Sequence, residues 1–257
     1  MNIKIILILF ALIPINVWAI SAPVITCQSG HLRVDISWNE QRSCVYDIQR
    51  APKGTSNFTT LNKGFYTTPR YSDFIGNNEV AYQYRVRAQL LKTGVKKPVE
   101  VSKWSNTVEG QGTYQNKEEL ITDLQRANFE FIWSFAHPDS GLVREATHHD
   151  SDTKHAQWQW TCTTTGATGM AFFNIAVGVE RGWISRNQGA ERVLKMLRFL
   201  NEKTTRYHGV WPHWIDGSTG KTLPFSNYDD GADLVETAFL AQGFIFVREY
   251  FKLDNGI

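Results

Sequence analysis

The hydrophobic period of this chain changes once, and that change constrains what it can fold into. Up to Gly110 apolar and polar residues alternate in short runs; beyond Gly112 apolar residues recur every three or four positions. Period two suits strands with one buried face, and period 3.6 suits helices with one buried stripe. The chain therefore reads as multidomain: a β-sandwich over 22–110, a short Gly110-Gln-Gly112 linker, and an all-α part over 117–257.

In the first half, His31 to Trp38, Val45 to Ile48 and Val80 to Ala88 alternate as half-buried strands, with turn signals at Lys53-Gly54 and Gly76-Asn77. In the second half four helices are expected. The first, about 117–136, starts at an Asn116…Glu119 capping box and carries Leu120, Leu124, Phe131 and Phe135 on one stripe, leaving Glu118, Asp123 and Arg126 outside. The second, about 164–181, is apolar almost all round. The third, about 186–204, starts at a Ser185…Gln188 box and is amphipathic; the fourth, about 230–251, is again mostly apolar. Exposed, buried, exposed, buried is the order that stacked helical hairpins with an outer and an inner ring would produce. The loops entering the buried helices, 137–163 and 206–229, are long and hold most of the His and Trp, which makes them the place to look for a site.

The second of those loops ends in Asp229, and Asp233 and Glu236 follow at i+4 and i+7, so a helix places all three on one face. Capping accounts for an acidic residue at a helix start, as at Asp229 or Asp230, but not for Glu236 two turns in. Glycosidic cleavage needs a carboxylic acid to protonate the leaving oxygen and a carboxylate to activate water or attack carbon, and crowded carboxylates raise one another's pKa. Trp211, His213 and Trp214 offer stacking and hydrogen bonds to a sugar, or simply pack the loop. His148, His149, Asp150, Asp152 and His155 fit no fixed metal spacing, so neither metal nor cofactor is expected. Thr163-Thr-Thr-Gly-Ala-Thr-Gly169 lacks the Lys and spacing of a phosphate loop; close helix packing through Gly166 and Gly169 explains it better.

The first residues bear on compartment. Lys4, the apolar run Ile5 to Ile15 and Val17-Trp18-Ala19 read as a signal peptide over 1–19, too short for a bilayer span, so export to the periplasm or medium is expected. No later stretch suggests a span. The formal net charge of +2 gives no reason to expect a nucleic-acid partner. An oxidising compartment permits a Cys27–Cys44 bridge, leaving Cys162 as a small buried residue.

Two resemblances follow. Trp38, Tyr82, Tyr84 and the strand-like Val101 to Val108 resemble a fibronectin type III module. Leu124 to Pro138, Ser140-Gly-Leu-Val-Arg-Glu145, Thr164 to Gly169, Val177 to Ile184, Pro212-His-Trp-Ile-Asp216 and Asp229 to Leu240 together resemble the glucoamylase-like family that includes bacterial endo-β-1,2-glucanases. That resemblance implies an (α/α)6 toroid, inverting hydrolysis of β-1,2-linked glucose polymers without metal, and Asp229, Asp233 and Glu236 in the substrate cleft, with Arg144 beside Trp211, His213 and Trp214 as substrate contacts. β-Glucan or a related oligosaccharide is the expected partner; the alternatives are a non-catalytic glucan-binding protein or a helical-barrel hydrolase for another glycan. A full toroid needs more helices than this sequence holds before Ile257, so the expectation is an incomplete chain, inactive alone.

Overall fold

The computed structural model describes residues 20–92, 97–146, 158 and 160–252. The leader and the His148–His155 run lie outside the described residues.

One antiparallel sheet runs β1 (Ile25–Gly30), β2 (Arg33–Trp38), β5 (Arg70–Phe74). The second runs β4 (Thr59–Thr60), β3 (Cys44–Pro52), β6 (Ala81–Leu90), β7 (Glu100–Val101), and β8 (Val108–Gln111) also pairs with β6. This is the sandwich expected of a fibronectin type III-like module. Val34, Ile36 and Trp38 from one sheet meet Tyr46, Ile48, Tyr84, Val86 and Ala88 from the other in one core. The strand expected over 101–108 is split into β7 and β8. Between them the Ser102 and Ser105 hydroxyls accept the Ala88 and Val86 N–H groups, at 2.9 Å each, where a continuous strand would present carbonyls. Cys27 and Cys44 lie on opposite sheets as free thiols, so the permitted bridge does not form.

Four helices follow: α1 (Lys117–Ser134), α2 (Thr165–Glu180), α3 (Arg186–Glu202) and α4 (Leu234–Phe251). Both capping boxes form, at Asn116/Glu119 and Ser185/Gln188. The stripe expected on α1 is corrected in part. Phe129, one position off that stripe, is its one fully buried residue, while Leu124 and Phe131 are exposed and Asp123 is mostly covered, paired with Arg33 of the sandwich at 2.6 Å. A helix at a junction has two covered sides, and a single-stripe reading sees only one.

Helices α2 and α4 pack backbone against backbone. A Cβ on Gly169 would stand 2.4 Å from the Phe239 carbonyl oxygen, and one on Gly243 would stand 2.5 Å from the Gly169 oxygen. Their cores meet Phe129, Leu142, Val193, Met196 and Leu200. The mostly apolar α4 is only partly covered among the described residues. Leu234, Val235, Phe239 and Ile245 are exposed, as are Met170, Phe173 and Val177 on α2, and the Phe173–Phe246 ring stack (4.3 Å) joins the two apolar faces. No helix among the described residues is long and apolar enough to cross a membrane.

Candidate active site

A small antiparallel unit anchors the site. β10 (Trp214–Asp216) pairs with β9 (Cys162–Thr164), and Arg144 bridges Thr163 from the other side. Val143 accepts the Thr164 N–H at 3.0 Å, and the His213 carbonyl accepts the Thr165 N–H at 3.0 Å. The run of threonines is built for this. Thr163 donates its hydroxyl to Ile215 O (2.9 Å), Thr165 to Pro212 O (2.6 Å) and Thr168 to Thr164 O (2.7 Å). Buried loop carbonyls thereby acquire partners that a regular ladder would otherwise supply.

The site opens where this unit meets the first turns of α2 and α4. The Thr164 N-cap makes no side-chain cap bond of its own; the Glu236 carboxylate, arriving from α4, takes that place. Glu236 Oε2 accepts the Gly166 N–H at 2.6 Å and the Thr164 hydroxyl at 3.1 Å. An anion belongs at a helix N-terminus, where unpaired N–H groups and the macrodipole favour it. Gly166 is required by this arrangement, because a Cβ there would stand 2.5 Å from Oε2. Glu236 Oε1 has no hydrogen bond among the described residues, leaving one carboxylate oxygen available.

Asp233 is the N-cap of α4: Oδ1 accepts from Val235 N (2.9 Å) and Glu236 N (3.0 Å). Its Oδ2 faces His213 Nδ1 at 3.1 Å, and His213 Nε2 stands 3.8 Å from Glu236 Oε2, so the imidazole sits between the two carboxylates. Opposite an acceptor-only carboxylate, Nδ1 is the nitrogen that carries the proton. His213 stacks on Trp214 at 3.8 Å between centroids, and Trp214 on Phe225 at 4.8 Å. The side chains of His213, Asp233 and Glu236 are 27%, 27% and 17% exposed, and among the described residues neither carboxylate has a Lys or Arg partner.

The structure thus brings together Asp233, Glu236, His213 and Trp214. It separates the other three expected residues from them. Asp229 lies in an exposed turn closed on Ser226, because α4 begins at Leu234 and not near 230. The chain before the helix is held extended instead, with Pro212 bridging Ala232 and Asp233 N donating to Trp211 O at 2.9 Å. The shared face of Asp229, Asp233 and Glu236 therefore does not exist. Trp211 is a packing residue: its Nε1 donates to Thr204 at 2.8 Å and its ring meets Phe244 edge-on. Arg144 is only 2% exposed, and its guanidinium is committed to Glu40 of the sandwich at 2.7 and 3.2 Å.

Residues missed from sequence are Thr164 and Gly166, which hold Glu236, and Phe225, which extends the aromatic stack. The Thr-Gly run was visible, but Glu236, the partner of Thr164 and Gly166, lies 72 and 70 residues on from them. The cleft of about 960 Å³ lined by Trp38, Tyr71, Asp123 and Phe131 lies between the sandwich and α1, away from Glu236. Among the described residues no cluster of His, Cys, Asp or Glu could hold a metal ion.

The chain thus joins a fibronectin type III-like sandwich to four helices and sets a glutamate of α4 beside a stacked His–Trp pair. Comparison with known proteins makes this specific. The chain is 36% identical over 245 residues, 93% of its length, to an exo β-1,2-glucooligosaccharide sophorohydrolase (non-reducing end) from Parabacteroides distasonis. A β-1,2-glucanase crystal structure from the same organism superposes with a TM-score of 0.74 at 34% identity, over 93% of this chain and 32% of that one. An endo-β-1,2-glucanase from Chitinophaga pinensis, solved with sophorotriose and glucose, superposes at 0.52 with 40% identity over 56% of this chain and 34% of that one. No protein-family model matches. The chain is thus related to β-1,2-glucanases over most of its length, and its sandwich and four helices match part of their structure; it spans about a third (32%) of the length of the curated relative it matches.

Proposed function

We propose that this chain forms part of the substrate cleft of an exported glycoside hydrolase acting on β-1,2-glucan, with Glu236 as one of its pair of catalytic carboxylates. The observation that carries the reading is the way Glu236 is held: Oε2 is fixed by Gly166 and Thr164, 3.8 Å from Nε2 of the Trp214-stacked His213, while Oε1 has no hydrogen bond among the described residues. Inverting hydrolysis needs one carboxyl to protonate the leaving oxygen and another to activate water. Asp233 has both oxygens engaged, so its role is to orient His213 and begin α4. In a protein as long as the relatives, further carboxylates would reach the cleft, and further helices would cover the exposed faces of α2 and α4. Export rests on the leader read from sequence.

The test is hydrolysis of β-1,2-glucan by the purified full-length product. Release of glucose oligomers is expected, with Glu236→Gln lowering kcat by about two to four orders of magnitude. A folded protein that binds the polymer and releases nothing would move the reading to glucan capture; one that cleaves another glycan instead would overturn the substrate. Amino-terminal sequencing of the mature protein is expected to start at Ile20 or Ser21.

A further inference from the structure

We propose that Glu40, from the sandwich, is a positioning residue for the site around Glu236. The functional part of this inference rests on the reading above; the geometry does not. Glu40 lies in the connection from β2 to β3 and reaches across the domain boundary to Arg144, binding both terminal nitrogens of the guanidinium. Arg144 is 2% exposed, lies 4.4 Å over the Phe135 ring, and its Nε has no partner among the described residues. With both terminal nitrogens turned to the sandwich, Glu40 supplies the ion-pair partner of a charge shut away from water. Removing one partner of a buried ion pair leaves an uncompensated charge and is strongly destabilising, which favours any shift that brings that charge to water.

Arg144 stands directly behind the site. Its backbone bridges Thr163, and its neighbour Val143 accepts the Thr164 N–H at 3.0 Å while its own N–H donates to Thr168 Oγ1 at 3.2 Å. Thr164 donates to Glu236, and β9 carries β10, whose first residue Trp214 is the stacking partner of His213. The path from Glu40 to Glu236 therefore crosses one ion pair, one strand pairing and one hydroxyl. The two other ion pairs across the boundary among the described residues differ in kind. Arg33–Asp123 touches α1, and Arg42–Asp139 is exposed at 3.7 Å. A module of this type would be expected to act as a spacer; here it supplies a charge on which the placement of the site depends.

The experiment compares wild type, Glu40→Gln and Glu40→Asp in the full chain. It reads the His213 imidazole ¹⁵N resonances and the affinity for sophorotriose, with thermal unfolding as the folding control. Glu40→Gln is expected to shift the His213 Nδ1 resonance and to weaken sophorotriose at least tenfold. Glu40→Asp, which keeps the charge on a shorter stem, is expected to recover part of both. If Glu40→Gln melts earlier yet leaves His213 and sophorotriose affinity within twofold of wild type, Glu40 is structural only and the proposal is overturned. If wild type itself does not bind sophorotriose, the glucan reading fails, and the His213 resonance alone then supports or overturns the positioning role.

Discussion

Gly166→Ala is expected to destabilise the protein, although helix propensity argues the reverse. Gly166 sits in the first turn of α2 with ordinary helical geometry, so alanine should gain up to about 1 kcal/mol from propensity. Against this, the new Cβ would stand 2.5 Å from Glu236 Oε2 and 2.8 Å from its Cδ. A carboxylate at the end of a flexible side chain can move, so the steric term alone is small. What it forfeits by moving is the bond from Gly166 N at 2.6 Å and the bond from Thr164 Oγ1 at 3.1 Å. Hydrogen bonds to a charged group contribute about 1.5–3 kcal/mol each, reduced here because the side chain is partly exposed and water can replace some of them. The net expectation is a loss of about 1–3 kcal/mol. In a Glu236→Ala background the obstacle is gone, and the same Gly166→Ala change should stabilise by about 0.5–1 kcal/mol. Urea unfolding of the four proteins, followed by far-ultraviolet circular dichroism, measures both steps. The same sign in both backgrounds would refute the claim that Glu236 occupies the space Gly166 leaves.

Gly169→Ala meets backbone rather than a movable side chain, with the Phe239 carbonyl at 2.4 Å, so α2 and α4 must separate; a loss of about 3 kcal/mol is expected in the same assay, and a loss under 1 would contradict the close packing. His137 is buried, and desolvation first, then the Arg144 charge, hold its pKa down at about 4. Its folded pKa lies below the unfolded value near 6.5, so the stability it contributes is complete above that value and declines as pH falls from about 6.5 to about 4, by about 3 kcal/mol at most. Unfolding measured across this range should show that decline in wild type and a shallower one in His137→Gln. Burial pushes the Cys44 thiol up to about 11 and raises Cys162 further, while half-buried Cys27 is raised less. Alkylation at pH 8 without reductant should label at most Cys27 in the folded protein and all three in denaturant; two unlabelled cysteines in denaturant would reveal a disulfide.

Local signals were read correctly where the determinants lie within a few residues. Both capping boxes and the sandwich strands were legible because period and cap spacing act over one or two turns, whereas the cap of α4 is Asp233 and not Asp229 or Asp230. The start of α4 was misplaced because the stretch through Ala232 is held extended by backbone partners at Trp211 and Pro212, which no local pattern encodes. Trp211 and Arg144 were misjudged for a related reason. A tryptophan or an arginine in a loop reads the same whether it faces a ligand or, like Arg144 against Glu40, a partner 104 positions away.

The sequence by itself determined the order of elements, the two-part architecture and the residue types available for chemistry, since hydrophobic period and capping are properties of short segments. The tertiary structure decided which of those residues meet: Glu236 joins the α2 N-terminus, His213 falls between two carboxylates, and the sandwich secures Arg144. Such contacts depend on how separate elements pack, and a hydrogen bond that closes between residues 70 apart, as from Gly166 to Glu236, leaves no local pattern at either end.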